Sequence, residues 1–234
     1  IPEIVSFENL SSSFDYVVRD LKEKQRKRFE AKKDDVIAFL RKHIEDGSFQ
    51  VTNFETLHVK DGPKEREVQA PPVIDRIGCH AIMNVFEDHV YPTVIETSAA
   101  SIKGRGMHYL HHILEEDIHE CEGNLYYYQC DIHHFYDSIN QELMYDDLKH
   151  YVSDPIVLKI FSNFVHLLPN GLSKGLRSSQ CFANLHLSPI DHHMKEMEGV
   201  RYYYRYCDDI VMMSTDKRKL WKWRGILHQE LGKL

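Results

Sequence analysis

The chain has 234 residues, 42% of them hydrophobic, a formal net charge of −7 and five cysteines. That length and composition suit one or two globular domains with a sizeable core, and they exclude a disordered or fibrous chain. An odd cysteine count with no CxxC spacing argues against a disulfide framework or a structural zinc site, so all five are read as reduced thiols.

No apolar run approaches the length of a membrane span, and IPEIVSFENL lacks the charged and apolar regions of a signal peptide. The expectation is a soluble, cytoplasmic protein with no membrane partner. Net charge alone speaks against a polyanionic partner, but its distribution does not. From Arg19 to Lys42 there are ten Lys or Arg against five Asp or Glu, whereas Glu115 to Asp147 holds ten acids and no Lys or Arg. Taking that −10 from the total of −7 leaves the rest of the chain at +3. A basic arm and an acidic centre fit a divalent-metal site beside a grip for a polyanion, although solvated helix faces of opposite sign give the same counts.

In chain order, Phe14, Val17, Val18 and Leu21 recur at helical spacing behind LSSS, whose serines can cap. Val36, Ile37, Leu40 and Ile44 resume the pattern as far as Gly47, so one long or two shorter basic helices are expected. TLHVK (56–60) and REVQA (66–70), joined by DGPK, predict a hairpin carrying Lys60, Lys64 and Arg66, with Gly62 and Pro63 in the turn. Behind Pro71 and Pro72 comes a helix with Ile74, Ile77, Ala81, Ile82 and Val85 on one side, stopping near Tyr91 and Pro92. SAASIKGRG reads as a loop whose glycines let backbone approach a ligand and whose Lys103 and Arg105 suit phosphate.

A helix through Tyr109, Ile113 and Leu114 follows. LYYYQCDI predicts a strand ending at Asp131, succeeded by a turn and helices beginning near Asn140 and Asp154. GLSKGLRSSQ leads into a helix with Phe182, Leu185 and Leu187 directed inward. A hairpin from Tyr202 to Ser214 and a helix with Trp221 and Trp223, read as packing residues, complete the chain. Strands and helices mix without internal repeats, which predicts an α+β fold.

The hairpin carries the chemistry. Side chains alternate along a strand, so Tyr202, Tyr204 and Tyr206 share one face and Tyr203 and Arg205 the other. Cys207 and Asp208 then occupy a tight turn, where the adjacent carboxylates of Asp208 and Asp209 repel unless a cation neutralises them. A divalent metal with hard oxygen ligands would do so; an ordinary Asp-rich turn is the simpler alternative. Asp131 shifts the balance, because it ends a second aromatic strand and two neighbouring strands can deliver acids to one point. Two metals held about 4 Å apart by shared carboxylates activate an attacking hydroxyl and stabilise the leaving oxygen of phosphoryl transfer.

REVQAPPVIDR, SAASIKGRGMH, CDIHHFYDSI, GLSKGLRSSQCFANLHLSPID and YRYCDDIVMM, in that order, resemble the bacterial reverse transcriptases of group II introns, retrons and diversity-generating retroelements. The resemblance covers roughly residues 55–215. It implies a right-hand polymerase, with N-terminal helices and fingers over 1–122, partly interleaved with a palm over 123–234. That palm would have an antiparallel sheet with packed helices, would be incomplete at its C-terminal end, and the thumb would be absent.

By position, the resemblance makes Asp131, Asp208 and Asp209 the catalytic acids, with Asp131, Asp208, Asp209 and the Ile132 carbonyl as ligands for two Mg²⁺ ions, or Mn²⁺ in their place. Lys60 and Arg66 would neutralise the incoming triphosphate. His133, His134, Phe135, Tyr136, Lys174 and Gln180 would line the nucleotide site, with Tyr136 as the aromatic gate that disfavours a 2′-OH. Arg76, Lys103, Arg105, Gly175 and Tyr206 would lie along the nucleic acid. Lys174 departs both from the glutamine of introns and retrons and from the apolar residue of the diversity-generating type, whereas Gln180 replaces the usual proline as it does in the diversity-generating type, which inclines the reading toward that type or a related group.

The implied function is RNA-directed DNA synthesis from dNTPs on an RNA template, giving a DNA product, in a bacterial or phage-encoded protein. A dedicated noncoding RNA or an accessory protein is a further candidate partner. Template-independent or protein-primed synthesis is the alternative within catalysis, and an inactive nucleic-acid-binding scaffold the alternative outside it. His108, His111 and His112, though at helical spacing, are read as structural or solvent-facing.

Overall fold

Ser6, whose hydroxyl accepts from the Asn9 amide, caps helix α1 (Phe7–Val18); the serines of LSSS lie inside that helix and Leu21 beyond it. The structure is a computed structural model describing residues 1–62 and 64–234, without the side chains of Asp61 and Lys64. Pro63, expected in the hairpin turn, lies outside the described residues. Two compact units divide the chain, residues 1–90 with 141–180 and residues 91–140 with 181–234.

In the first unit the N-terminal basic region forms three helices, α1, α2 (Glu23–Glu30) and α3 (Lys33–Glu45), where one or two were expected. The reason is that α2 buries no residue, so no apolar stripe runs through it to join its neighbours. Leu10, Phe14, Val17 and Val18 of α1 and Val36, Ile37, Leu40 and Ile44 of α3 are buried. Each such side chain contributes about 1.5–3 kcal/mol on leaving water.

Strands β1 (Glu55–Asp61) and β2 (Lys64–Ala70) form an antiparallel hairpin. Helix α4 (Val73–Val90) brings Gly78 against the Phe49 ring, where an added Cβ would stand 2.4 Å from ring carbons. Later in the chain, α7 (Gln141–Tyr151) and α8 (Pro155–Val165) complete this unit, after the four-residue α6 (Phe135–Ser138) of the second. Asp154 caps α8 through the amides of Ile156 and Val157, with Pro155 in the first turn. Phe86 and Phe161 meet edge to face with centroids 4.7 Å apart.

A polar chain also runs through this unit. Asn84 donates to Asn9 and to Ser13, the Ser13 hydroxyl lies 3.2 Å from His80 Nδ1, and Arg177 donates to Asn84 and forms a two-pronged pair with Glu87.

The second unit holds a four-stranded sheet in the order β3 (Ser98–Ala99), β5 (Tyr202–Tyr206), β6 (Asp209–Ser214), β4 (Tyr126–Asp131). The β5–β6 and β6–β4 pairs are antiparallel, as expected, and the two-residue β3 adds a parallel pair with β5 at one edge. Helix α5 (Met107–His119) and α10 (Lys217–Leu231) pack on it, and α9 (Arg177–Glu196) starts in the first unit and continues into this one. Ala99, Leu110, Tyr202, Tyr204 and Met213 form one buried cluster. The alternation expected along β5 holds, because Tyr203 and Arg205 face away from that cluster and bond Asp191. No helix among the described residues is long and apolar enough to cross a membrane.

Candidate active site

Three strands bring three residues into one row. Asp131, the last residue of β4, is opposite Asp209, the first of β6, and Asp209 is opposite Tyr206, the last of β5. Directly paired residues present their side chains on the same face of a sheet, with Cβ atoms about 5 Å apart. Asp208 occupies the two-residue turn beside this row, and its carbonyl accepts from the Ile132 amide at 3.3 Å, closing the two strand tips on each other. The turn is demanding for the backbone, since Cys207 has φ +58° without being glycine.

Burial first, and then the charges of Asp131 and Asp208, raise the Asp209 carboxyl above its ordinary range, while a Gln129 hydrogen bond opposes the rise. The three acids are therefore close enough to repel. Hard carboxylate oxygens clustered at an exposed sheet end are the donor chemistry Mg²⁺ takes. Among the described residues, no group of three or more His, Cys, Asp or Glu side chains is arranged to hold a metal ion unaided. That is compatible with Mg²⁺, which usually takes one or two protein carboxylates and completes its shell with phosphate and water.

Tyr136 borders the acids. His134, with φ +51°, starts the short helix α6, and the Tyr136 hydroxyl reaches Cys207 Sγ at 3.5 Å. Burial, followed by the neighbouring Cys207 and Asp208, pushes its phenol well above the ordinary tyrosine range, so it stays neutral. His133 and His134 are exposed, with ring centroids 4.0 Å apart and His134 near Asp137. Phe135, expected along the nucleotide, is 5% exposed and packs inward.

The other expected residues are more scattered. Lys60 and Arg66 are both exposed on the β1–β2 hairpin, yet Lys60 pairs with Glu65 and Arg66 with Val59, which sets them on opposite faces of the ribbon. Arg76 and Lys103 are exposed. Arg105 is half-buried, and its Nη1 donates to the carbonyls of Val94 and Ile95. Lys174 and Gly175 lie in a loop tied to β2, because the Lys174 amide and the Ser173 hydroxyl both donate to Gln69 Oε1. Gln180 is half-buried in the first turns of α9. Of the histidine set, His111 and His112 lie 3.9 and 3.4 Å from Glu115 and Glu116 on α5, and all three rings are exposed.

Sequence reasoning missed the residues beneath the turn. Arg205, Asp191 and Asn184 form a buried polar cluster whose only local signal is an arginine within an otherwise aromatic strand. Such a cation must find an acid when it is buried, and the alternation of β5 names the face but not the partner.

Residues 59–234 match the reverse transcriptase (RNA-dependent DNA polymerase) family. The match spans most of the chain, and the chain belongs to that family. Its members are nucleotidyltransferases that use divalent metal ions. None of the curated proteins compared matches the chain. Similar solved structures include chains from a "Partial Cas6-RT-Cas1–Cas2 complex" and a "Cas6-RT-Cas1–Cas2 complex", each with a TM-score of 0.49, 18% identity and 98% of this chain covered. This chain spans 40% and 25% of the length of those two.

Proposed function

We propose that this chain is the fingers and palm of an RNA-directed DNA polymerase that copies an RNA template into DNA from dNTPs. The observation that carries the reading is the row of Asp131 and Asp209 at facing strand ends, with Asp208 in the β5–β6 turn beside it, inside the segment that matches the family. Asp131, Asp208 and Asp209, with the Ile132 carbonyl, hold the divalent ions. Bound there, Mg²⁺ would supply a lowered pKa for the primer 3′-OH and charge stabilisation for the departing pyrophosphate.

The chain's own residues do the rest. Tyr206 stands beside Asp209 and supports the primer end. Tyr136, neutral and braced on Cys207, presents its ring as the surface that excludes a 2′-OH. His133 and His134 border the phosphates, and Lys60 or Arg66 contributes cationic charge to the triphosphate. Lys103 and Arg76 suit template phosphates, being exposed cations. Arg105 lies in the same loop as Lys103 and combines that role with bracing of Val94 and Ile95 through Nη1. Gln180 favours a relative of the diversity-generating type, while Lys174 departs from that type as well as from introns and retrons, and this loop sets base discrimination.

The test is Mg²⁺-dependent dNTP incorporation by the full-length protein on primed RNA, on primed DNA and without template, alongside Asp208→Asn. Incorporation that follows the RNA and is lost in the variant establishes the activity, and misincorporation opposite each base then tests the Lys174 loop. Template-independent products point to the alternative synthesis. Folded protein that binds RNA yet incorporates nothing on any substrate sinks the polymerase reading in favour of a binding scaffold.

A further inference from the structure

Below the aspartate turn lies a fully buried ion pair, with the side chains of Arg205 and Asp191 both 0% exposed. Arg205 Nε donates to both Asp191 oxygens at 2.9 Å and Nη2 to Oδ2 at 2.7 Å. Nη1 donates to Asn184 Oδ1 at 3.0 Å and to the Cys207 carbonyl at 2.8 Å, while Nη2 also reaches the Asn184 carbonyl. All five guanidinium donors are thereby occupied. Asp191 in turn accepts from the Tyr203 hydroxyl and the Ser98 hydroxyl, each at 2.8 Å, and Asn184 donates to the Ala100 carbonyl.

Stability alone does not account for this arrangement. A buried ion pair loses so much hydration that apolar residues of similar volume often serve as well or better. What apolar residues cannot do is grip a carbonyl. The single donor that leaves the α9 cluster goes to Cys207, whose left-handed backbone needs outside support to persist. The Cys207 amide is held too, by the Ala99 carbonyl at 3.3 Å. Both backbone polar groups of the residue before Asp208 are thus fixed by partners in β3 and β5.

We propose that Arg205 is a positioning residue: braced on Asp191 and Asn184, it holds the Cys207 carbonyl and so fixes the orientation of Asp208 and Asp209 beside Asp131. It touches no substrate and acts through the turn. The catalytic consequence rests on the polymerase reading above, whereas the strut itself does not.

The experiment uses the full-length protein with Arg205→Lys, which keeps the charge but lacks the fork, and Asp191→Asn, which weakens the brace without altering the hairpin. Leu227→Ala, a cavity in buried α10 sequence, serves as a control of comparable Tm loss. Each of the first two lowers kcat about 10- to 100-fold while dNTP KM and primer-template affinity stay within about twofold. Combined, they lower kcat little beyond the larger single effect, as residues acting as a unit do. Leu227→Ala leaves kcat unchanged.

Amide hydrogen exchange gives a readout independent of activity. In both variants the Ile132 and Cys207 amides exchange at least about tenfold faster, and the Met212 and Met213 amides do not. A kcat loss of the same size in Leu227→Ala, so that activity merely tracks Tm, overturns the proposal, as does unchanged protection at Ile132 and Cys207. Should the unaltered protein incorporate no nucleotide, the polymerase reading fails while the exchange rates still decide the strut.

Discussion

Gly175 lies so close to Gln69 that a Cβ built on it would stand 1.6 Å from the Gln69 carbonyl oxygen. No side chain fits there without separating the loop from β2. The same loop is fastened to the Gln69 side chain through Ser173 and Lys174. Gly175→Ala is therefore expected to cost about 3 kcal/mol, read as a shift in urea midpoint, because the obstacle is backbone and cannot rotate away. A neutral result would mean that the loop stands off β2 in solution.

Removing one of three repelling carboxylates separates stability from activity. Asp209→Asn deletes a charge whose carboxyl is raised by burial and by Asp131 and Asp208. Its Tm is expected to be unchanged or higher, while nucleotide incorporation falls about 100-fold or more. Calorimetry beside a primer-extension assay checks both halves. A lower Tm with full activity would mean that Asp209 is a structural turn residue.

His80 confers a pH dependence on stability. Burial first, and then the charges of Arg177 and Arg19, lower its pKa from 6.5 to about 4. The folded state thus resists a proton that the unfolded state accepts, so stability is greatest above about 6.5 and declines as pH falls from 6.5 toward 4. His80→Gln is expected to flatten the decline in urea midpoint between pH 7 and pH 5. Equal declines in the two proteins would show that the folded imidazole titrates normally.

Arg177 and Glu87 form a two-pronged pair at 3.0 and 2.5 Å, with side-chain exposures of 34% and 13%. Burial nevertheless leaves the Glu87 carboxyl above its ordinary range, since desolvation outweighs the arginine. Arg177→Met strands that carboxylate and is expected to cost about 2 kcal/mol, a figure reduced for the partial exposure of the arginine. Adding Glu87→Met is expected to restore most of the loss. A double-mutant cycle on denaturation midpoints measures the coupling.

The two tryptophans of α10 are expected to differ sharply. Trp223 is 3% exposed and Trp221 60%, with the Arg224 guanidinium 5.3 Å from the Trp221 ring. Trp223→Ala is expected to lose about 4 kcal/mol and Trp221→Ala less than about 1 kcal/mol. Thermal denaturation of each variant distinguishes them, and comparable losses would mean that Trp221 is covered in solution.

The sequence by itself determined what depends on near neighbours. Two-residue alternation in YYYRY assigned Tyr203 and Arg205 to one face, turn chemistry placed the hairpin tips, and aromatic strands ending in acids pointed to Asp131, Asp208 and Asp209. Local periodicity reports that a side chain is buried and on which side, because burial follows from backbone geometry over a few residues. It does not report the partner. That Arg205 meets Asp191, that Gln69 meets a loop more than a hundred residues away, that Arg105 braces its own loop and that Lys60 and Arg66 point to opposite faces were decided by how segments close on each other. Those contacts depend on register and packing across long loops, where a pattern read along the chain carries no information about which distant atoms will be brought within hydrogen-bond reach.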